Sequence, residues 1–226
     1  MVCTLNLFSA MTEVKKMYFY LKHRHFVFSE CLYVYEVKMK DIKECAEFYC
    51  SLLNKKYIFT LENNIKFELI FLKSNFHHLL GLGKLTDISE LNLKNNYADI
   101  VFKKILKGEI SPQKISKSCF YHKIEKRVLY FDKITDMLNP DKCKIIIDFD
   151  KSLVSNGTNL KFTKYILYIH KNDDYIFFTL GEKNNGIYPE TFFYESSKRY
   201  TDNQNLLDVL DISVVEKRKT NYKRNR

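Results

Sequence analysis

The sequence predicts an α+β fold, with helices and one hairpin in the first part of the domain and an antiparallel sheet of about four to five strands after them. Apolar residues recur at helical spacing before residue 140, whereas from Lys142 onward they alternate or form short runs. The 226 residues are 46% apolar and include 18 Phe and 16 Tyr. A chain of this size and composition can bury a sizeable core.

The helical part is predicted to begin directly after Asp41. In "IKECAEFYCSLL" the apolar residues share one face, and the Asp41 carboxylate is suited to cap the N-terminus of the helix. The turn "ENN" separates the apolar runs "YIFTL" and "IKFELIFL", which predicts a hairpin. A second helix is expected to end near Gly108, a short one to start at Pro112, and a longer one to end before Pro140.

The strands of the predicted sheet lie in the apolar runs "CKIIIDF", "KYILYIH", "DYIFFTLG", "GIYPETFFYE" and "LLDVLDISVVEKR". The turns "KNDD" and "EKNNG" between the later runs favour antiparallel neighbours. Residues 1–37 show no strong period and are treated as an N-terminal extension of unknown role. The domain is expected to span residues 38–217, and residues 218–226 to form a basic tail.

Charge and motif content restrict the function. The 37 Lys and Arg against 27 Asp and Glu give a net charge of +10, which favours a polyanionic partner. The chain has no apolar run of about 18 residues and no CxxC pair, so we expect a cytoplasmic protein with reduced thiols and no membrane partner. It also lacks HExxH, the phosphate-loop signature and GxSxG, so no metal site and no cofactor is predicted.

Two separated motifs carry a family resemblance. "NFHHLLGLGKLTDI" and the later "YPETFFYESSKRYTDNQ" are similar to motifs of the phage branch of the barnase/EndoU/colicin/RelE-like (BECR) nucleases, and the resemblance runs from about residue 38 to 217. It implies helices packed on a four- to five-stranded antiparallel sheet and RNA cleavage without a metal, in a phage, mobile-element, toxin or defence setting. Such cleavage requires a base, an acid and cationic groups around the phosphorane.

The resemblance also implies two catalytic residues. His78 matches the motif histidine and would act as base or acid, and Thr191 matches the motif threonine, whose hydroxyl would donate to a phosphate oxygen. Each has a structural alternative, since a lone histidine often packs at a helix start and threonine is a common strand residue. His77 is expected to be a surface or packing residue, and Gly81 to permit a close approach between helix and sheet.

Further residues are predicted to bind the RNA. Lys123 and Arg127 lie four apart on a predicted helix and can hold a phosphate, although such a pair is commonly a solvated face. Tyr188 is expected either to stack on a base or to fill the core. The complete predicted set is Lys123, Arg127, Lys161, Lys164, Tyr188, Tyr200 and Gln204.

The predicted function is therefore metal-independent RNA cleavage, with RNA as the partner and an antitoxin or other protein as a further candidate. One alternative is a catalytically silent RNA- or protein-binding module of the same fold that acts as a regulator. Another is an interaction module with exposed aromatic surfaces. An enzyme requires His78, Thr191 and Gln204 to converge on one concave face, whereas an interaction module would bury them and expose an apolar patch.

Overall fold

The computed structural model describes residues 41–216 apart from residues 95, 172, 184 and 185. The predicted extension at 1–37 and the predicted tail at 218–226 lie outside these residues. The helices are α1 Ile42–Cys50, α2 Asn75–Leu80, α3 Ala98–Lys107, α4 Pro112–Ser116, α5 Glu125–Leu129 and α6 Ile134–Met137. The strands are β1 Lys55–Leu61, β2 Lys66–Ile70, β3 Lys144–Ile146, β4 Thr163–Lys171, β5 Asp174–Lys183, β6 Gly186–Glu195 and β7 Leu206–Glu216. The α+β class is confirmed.

The local signals for the early elements are also confirmed. The Asp41 carboxylate accepts hydrogen bonds from the backbone N–H groups of Lys43 and Glu44, at 2.8 and 3.0 Å, and so caps α1. Strands β1 and β2 form the predicted hairpin. Helix α3 ends at Gly108, whose φ of 76° is accessible to glycine at little cost.

The predicted longer helix before Pro140 is wrong. The chain forms α5 and α6 instead, separated and preceded by single 3₁₀ turns. The buried residues of this segment are Ile124, Val128, Phe131, Ile134 and Met137. Their spacing from Val128 onward is three residues, so a straight α-helix would turn Met137 about half a turn away from Val128. The 3₁₀ turns keep all five side chains against the core.

The predicted four- to five-stranded sheet is also wrong, because the structure has a closed seven-stranded barrel in the order β1-β2-β6-β5-β4-β3-β7. The early hairpin belongs to this barrel, since β1 pairs antiparallel with β7 from Lys55↔Glu216 to Leu61↔Val209. The pairing leaves neither strand as an open edge. Nothing in the local sequence indicates it, because the two strands are far apart in the chain.

Strands β2 and β6 meet at a narrow seam of the barrel. These strands are parallel and share one bridge, Leu69↔Ile187. Helices α2 and α5 pack against β6. The β2–β6 seam therefore lacks the full ladder of pairs that joins β6 to β5 on its other side.

A main aromatic core joins the helices to the barrel. Tyr49, Phe76 and Phe131 lie in it with ring centroids 5.4 to 6.1 Å apart, and all three are inaccessible to solvent. A smaller second core, which includes Phe177 and Tyr200, fills the other side of the sheet. None of the helices in the described part of the chain has the length and hydropathy needed to cross a membrane.

Candidate functional site

A β-bulge on β6 places two consecutive side chains in one pocket. Thr191 pairs with Thr179, and the next pair is Pro189 with Leu180, so Glu190 is the extra residue on β6. Pro189 has no N–H to donate and is tolerated at such an interruption of the ladder. As a result, Glu190 and Thr191 both line a pocket of about 530 Å³, which we call the arginine pocket because Arg127 also lines it.

The buried residue Thr179 fixes the backbone of Thr191. The Thr179 hydroxyl accepts a hydrogen bond from the Thr191 N–H at 3.1 Å and donates one to the Thr191 carbonyl at 3.4 Å. Thr179 has no accessible surface, so this contact is protected from water. The side chain of Thr191 is half-buried and is held at the pocket wall.

Arg127 connects α5 to both α2 and β6. Its Nη1 donates to the Thr191 Oγ1 at 3.2 Å and to the Leu79 carbonyl at 3.3 Å. Gly81 ends α2 with a φ of 71°, and a Cβ at this position would lie 3.3 Å from the Arg127 Nη1. The group nearest to a Cβ at Gly81 is therefore the Arg127 side chain, rather than the sheet that the prediction named.

Lys84 and Lys123 line the arginine pocket together with Arg127. Desolvation lowers the pKa of Lys84, and the charges of Arg127 and Lys123 lower it further. Burial lowers the pKa of Arg127 to about 10, which still leaves it charged at neutral pH. Within the described ranges, none of the three forms an ion pair with a carboxylate. The positive charges of Lys84, Lys123 and Arg127 repel one another, and an anion in the pocket would reduce this repulsion.

The remaining charges of the arginine pocket divide into one ion pair and one separate carboxylate. Arg199 donates to the Glu195 carboxylate from Nε at 3.0 Å and from Nη2 at 2.8 Å, and it also contacts the Tyr200 hydroxyl at 3.2 Å. Glu190 accepts a hydrogen bond from the Thr163 hydroxyl. No cation of the described chain pairs with Glu190, so its carboxylate is available to a ligand.

His78 lies in a neighbouring pocket. It is exposed on α2 and lines a pocket of about 510 Å³, which we call the histidine pocket. Lys84 lines both pockets, whereas Thr191 lines the arginine pocket and not the histidine pocket. The expected convergence of His78 and Thr191 on one concave face is therefore not found. The two side chains line different pockets that have Lys84 in common.

His77 is a packing residue, which is one of the two roles predicted for it from the sequence. It is buried, and its Nε2 lies 2.8 Å from the Leu91 carbonyl. Since a carbonyl only accepts, Nε2 carries the proton and Nδ1 is an acceptor. This Nδ1 is buried without a hydrogen-bond partner among the described residues. Burial lowers the pKa of His77, so the ring is neutral at neutral pH.

Mild acid is expected to destabilise the protein through His77. Because its pKa is lower in the folded chain than the ordinary value of about 6.5, the unfolded chain binds the proton more readily. The stabilisation is complete above pH about 6.5 and is lost as the pH falls toward the folded pKa. In thermal melts, the decrease in Tm from pH 7.5 to 5.5 should be smaller in His77→Gln than in wild type, by up to about 4 °C.

The matched control for this measurement is His170→Gln, since His170 is exposed on β4. It should retain the pH dependence of wild type. An equally steep decrease in Tm for wild type and His77→Gln would contradict the role given to the buried ring.

Several residues of the predicted RNA-binding set lie outside the arginine pocket. Gln204 does not converge with the others, because its side-chain amide bonds the backbone N–H and carbonyl of Asp150 at 3.0 and 2.8 Å. Lys164 forms an ion pair with Glu182 at 2.7 Å. Lys161 is exposed and lines neither pocket described above.

The predicted tyrosines have different positions. The Tyr188 ring covers Gly181 so closely that a Cβ there would lie 2.6 Å from a ring carbon, which indicates packing. Tyr200 is buried in the second core, but it also lines the arginine pocket and its hydroxyl contacts Arg199. Of the predicted residues, the structure brings together Lys123, Arg127, Thr191 and Tyr200.

Four charged residues of the arginine pocket were not predicted from the sequence, namely Lys84, Glu190, Glu195 and Arg199. For Glu190 a signal existed, because a proline inside a strand indicates a bulge or an edge, and a bulge after Pro189 would place Glu190 beside Thr191. Lys84 and Arg199 carry no comparable signal in a chain so rich in cations. Among the described residues, no group of three or more His, Cys, Asp or Glu side chains is arranged to hold a metal ion.

Comparison with known proteins agrees with the two sequence motifs. A family model described as phage-Barnase-EndoU-ColicinE5/D-RelE like nuclease 4 matches residues 41–225. No curated protein and no solved structure matches the chain. The family match includes the barrel, both pockets and the two motifs around His78 and Thr191. The chain therefore belongs to this family of phage BECR-like nucleases.

Proposed function

We propose that the protein is a ribonuclease that cleaves RNA in the arginine pocket by general acid and base chemistry, without a metal ion. Membership of a nuclease family supports hydrolysis or transesterification of a nucleic acid. The observation that carries the proposal is the convergence of three cations without carboxylate partners in the described chain, next to the Thr191 hydroxyl and the Glu190 carboxylate.

A phosphate of the RNA would bind between Arg127 and Thr191. Arg127 uses Nη1 for its contacts with the protein, and its Nε and Nη2 have no hydrogen-bond partner among the described residues. The Thr191 Oγ1 accepts from Arg127, so its own hydrogen is free to donate to a phosphate oxygen. Donors that are fixed in this way before the substrate binds stabilise the charge that develops on a phosphorane.

The proposal names RNA because its 2′-hydroxyl can serve as the nucleophile. The 2′-oxygen attacks the adjacent phosphorus, its proton passes to a base, and the bond to the 5′-oxygen breaks as that oxygen receives a proton. The products are a 2′,3′-cyclic phosphate and a 5′-hydroxyl. Glu190 is the proposed base, because the bulge holds its carboxylate beside Thr191.

His78 is the proposed acid for the leaving oxygen. It lines the histidine pocket, which shares Lys84 with the pocket that Thr191 lines. Because the leaving 5′-oxygen is bonded to the phosphorus held between Arg127 and Thr191, this role requires the imidazole to come within hydrogen-bond distance of that same phosphate when RNA binds. Histidine is suited to this step because it exchanges protons near neutral pH.

His78, Thr191 and Gln204 do not converge as expected of an enzyme, and their separation favours a second candidate function, RNA binding without cleavage. The cations and the Thr191 hydroxyl would bind a phosphate equally well in a regulator that has lost the proton transfers. The two candidates predict the same binding surface and differ in whether the RNA chain is broken.

The proposed function is tested with end-labelled single-stranded RNA and DNA of one sequence in the presence of EDTA. The wild-type protein should cleave the RNA alone and leave a cyclic phosphate. Glu190→Gln, Thr191→Val and His78→Gln should each lower the cleavage rate by about 100-fold, which is typical for loss of an acid, a base or a fixed donor.

Glu182→Gln is the matched control for Glu190→Gln, because Glu182 is a carboxylate on β5 that pairs with Lys164 and lines neither pocket. It should cleave at the wild-type rate. RNA that is bound and left intact by wild type would establish the binding candidate instead. Cleavage abolished by EDTA and restored by a divalent metal would contradict the mechanism.

A further inference from the structure

We propose that the histidine pocket is a subsite for one nucleobase of the bound nucleic acid. This inference rests on the proposed function, because it places a phosphate in the arginine pocket. It adds a site at which the protein would distinguish a nucleotide from a bare phosphate.

The first argument is the position of the histidine pocket next to the proposed phosphate site. Lys84 lines both the arginine pocket and the histidine pocket, so the two pockets are adjacent. In a nucleotide, the base is separated from its phosphate by one ribose. A strand whose phosphate contacts Arg127 and Lys84 therefore carries an adjacent base to the entrance of the histidine pocket.

The second argument is the chemistry of the walls. Leu82, Leu85 and Leu91 are buried, whereas Leu93 is 37% exposed at the rim. Asn92 also lines the pocket. A nucleobase has apolar faces and polar edges, and a pocket of about 510 Å³ with leucine walls and polar groups at its opening suits both.

The polar groups at the opening are available for hydrogen bonding. The Asn92 Oδ1 accepts from the Lys94 N–H at 2.9 Å, which leaves the two amide N–H donors of Asn92 without a partner among the described residues. The Thr86 hydroxyl likewise has no partner in the described part of the chain. Donors of this kind can bind the carbonyl or ring-nitrogen acceptors of a base edge.

The third argument is the unsatisfied acceptor in the pocket wall. His77 is only 3% exposed, and its Nδ1 has no hydrogen-bond donor among the described residues. A buried polar atom without a partner is costly and requires an explanation. An amino or imino N–H of a base bound against this wall would supply the missing donor.

The pocket is also pre-formed. The segment that follows α2 is fastened by the His77 contact with Leu91 and by Asp87, which accepts from the Ser118 hydroxyl at 2.6 Å and the Cys119 N–H at 3.1 Å. A wall that is fixed before binding does not have to be ordered by the ligand, which favours affinity for small molecules.

The test compares inorganic phosphate with the four nucleoside 3′-monophosphates by isothermal titration calorimetry on the full chain at constant ionic strength. At least one nucleotide should bind the wild-type protein about tenfold more tightly than phosphate does. Leu93→Ala should remove most of this difference and leave the affinity for phosphate unchanged. Leu153→Ala, which truncates an exposed leucine outside both pockets, should behave as wild type.

The outcomes separate this inference from the proposed function. If RNA is cleaved but phosphate and all four nucleotides bind equally, the base subsite is overturned and the ribonuclease stands. A nucleotide preference that survives Leu93→Ala also overturns the subsite. If N-acetyltyrosinamide binds as tightly as the best nucleotide and is displaced by it, the pocket takes a protein side chain and the base assignment fails.

Discussion

Replacing Arg127 by lysine is expected to lower RNA cleavage by about 100- to 1000-fold, the usual cost of removing one fixed donor from a transition-state site. Lysine retains the positive charge but lacks the planar guanidinium group with its several N–H donors. In Arg127 this group contacts Thr191, Leu79 and the proposed phosphate together. Most of the loss should appear in kcat, because the geometry matters most when charge develops on the phosphorane.

The measurement is single-turnover cleavage of one RNA by wild type and Arg127→Lys, with circular dichroism to verify folding. Lys103→Ala is the control, because it removes a whole positive charge from the exposed face of α3, where Lys103 pairs with Asp99. It should cleave within about twofold of wild type, as expected for a screened surface charge. If the two variants lose the same fraction of the cleavage rate, net charge determines the rate, rather than the contact of the guanidinium group with Thr191.

The largest effect on stability is expected for Phe131→Ala. Phe131 is inaccessible to solvent, and its ring lies 5.8 Å from Phe76 on α2 and 5.8 Å from Phe192 on β6. The substitution would leave a cavity between the helices and the barrel, which typically costs about 3–5 kcal/mol of the free energy of unfolding. Phe192 neighbours Thr191 in the sequence, so the cavity would also loosen the strand that carries the site.

Urea unfolding followed by circular dichroism measures this effect. The control is Phe162→Ala, since Phe162 is 69% exposed, and its free energy of unfolding should change by about 0.5 kcal/mol or less. A loss below about 1 kcal/mol for Phe131→Ala would mean that the aromatic cluster is not the principal junction between helices and barrel.

The parts of the fold that the sequence predicted correctly depend on neighbouring residues. The cap at Asp41, the hairpin turn after Leu61 and the end of α3 at Gly108 each follow from groups within a few positions of one another. The sequence does not predict the break between α5 and α6, because a three-residue spacing of apolar side chains also fits an ordinary helical pattern. Only the core against which Phe131 packs selects the 3₁₀ turns there.

The candidate site was predicted in part. Thr191, Arg127, Lys123 and Tyr200 were named from the sequence and line one pocket, whereas Gln204 bonds the backbone of Asp150 instead. Glu190 was missed although the proline before it indicates a bulge. The catalytic roles of His78 and Thr191 stay predictions until the variants are measured.

By itself, the sequence determined the family, the α+β class and the short-range elements, because motifs, caps and turns are encoded in contiguous residues. The tertiary structure alone decided that the hairpin closes a barrel with β7, that Lys84 lines two pockets, and that Arg127 meets Thr191 across 64 positions of the chain. These contacts join residues far apart in the sequence. Their formation depends on how the whole chain packs, and no local pattern of residue types predicts these contacts.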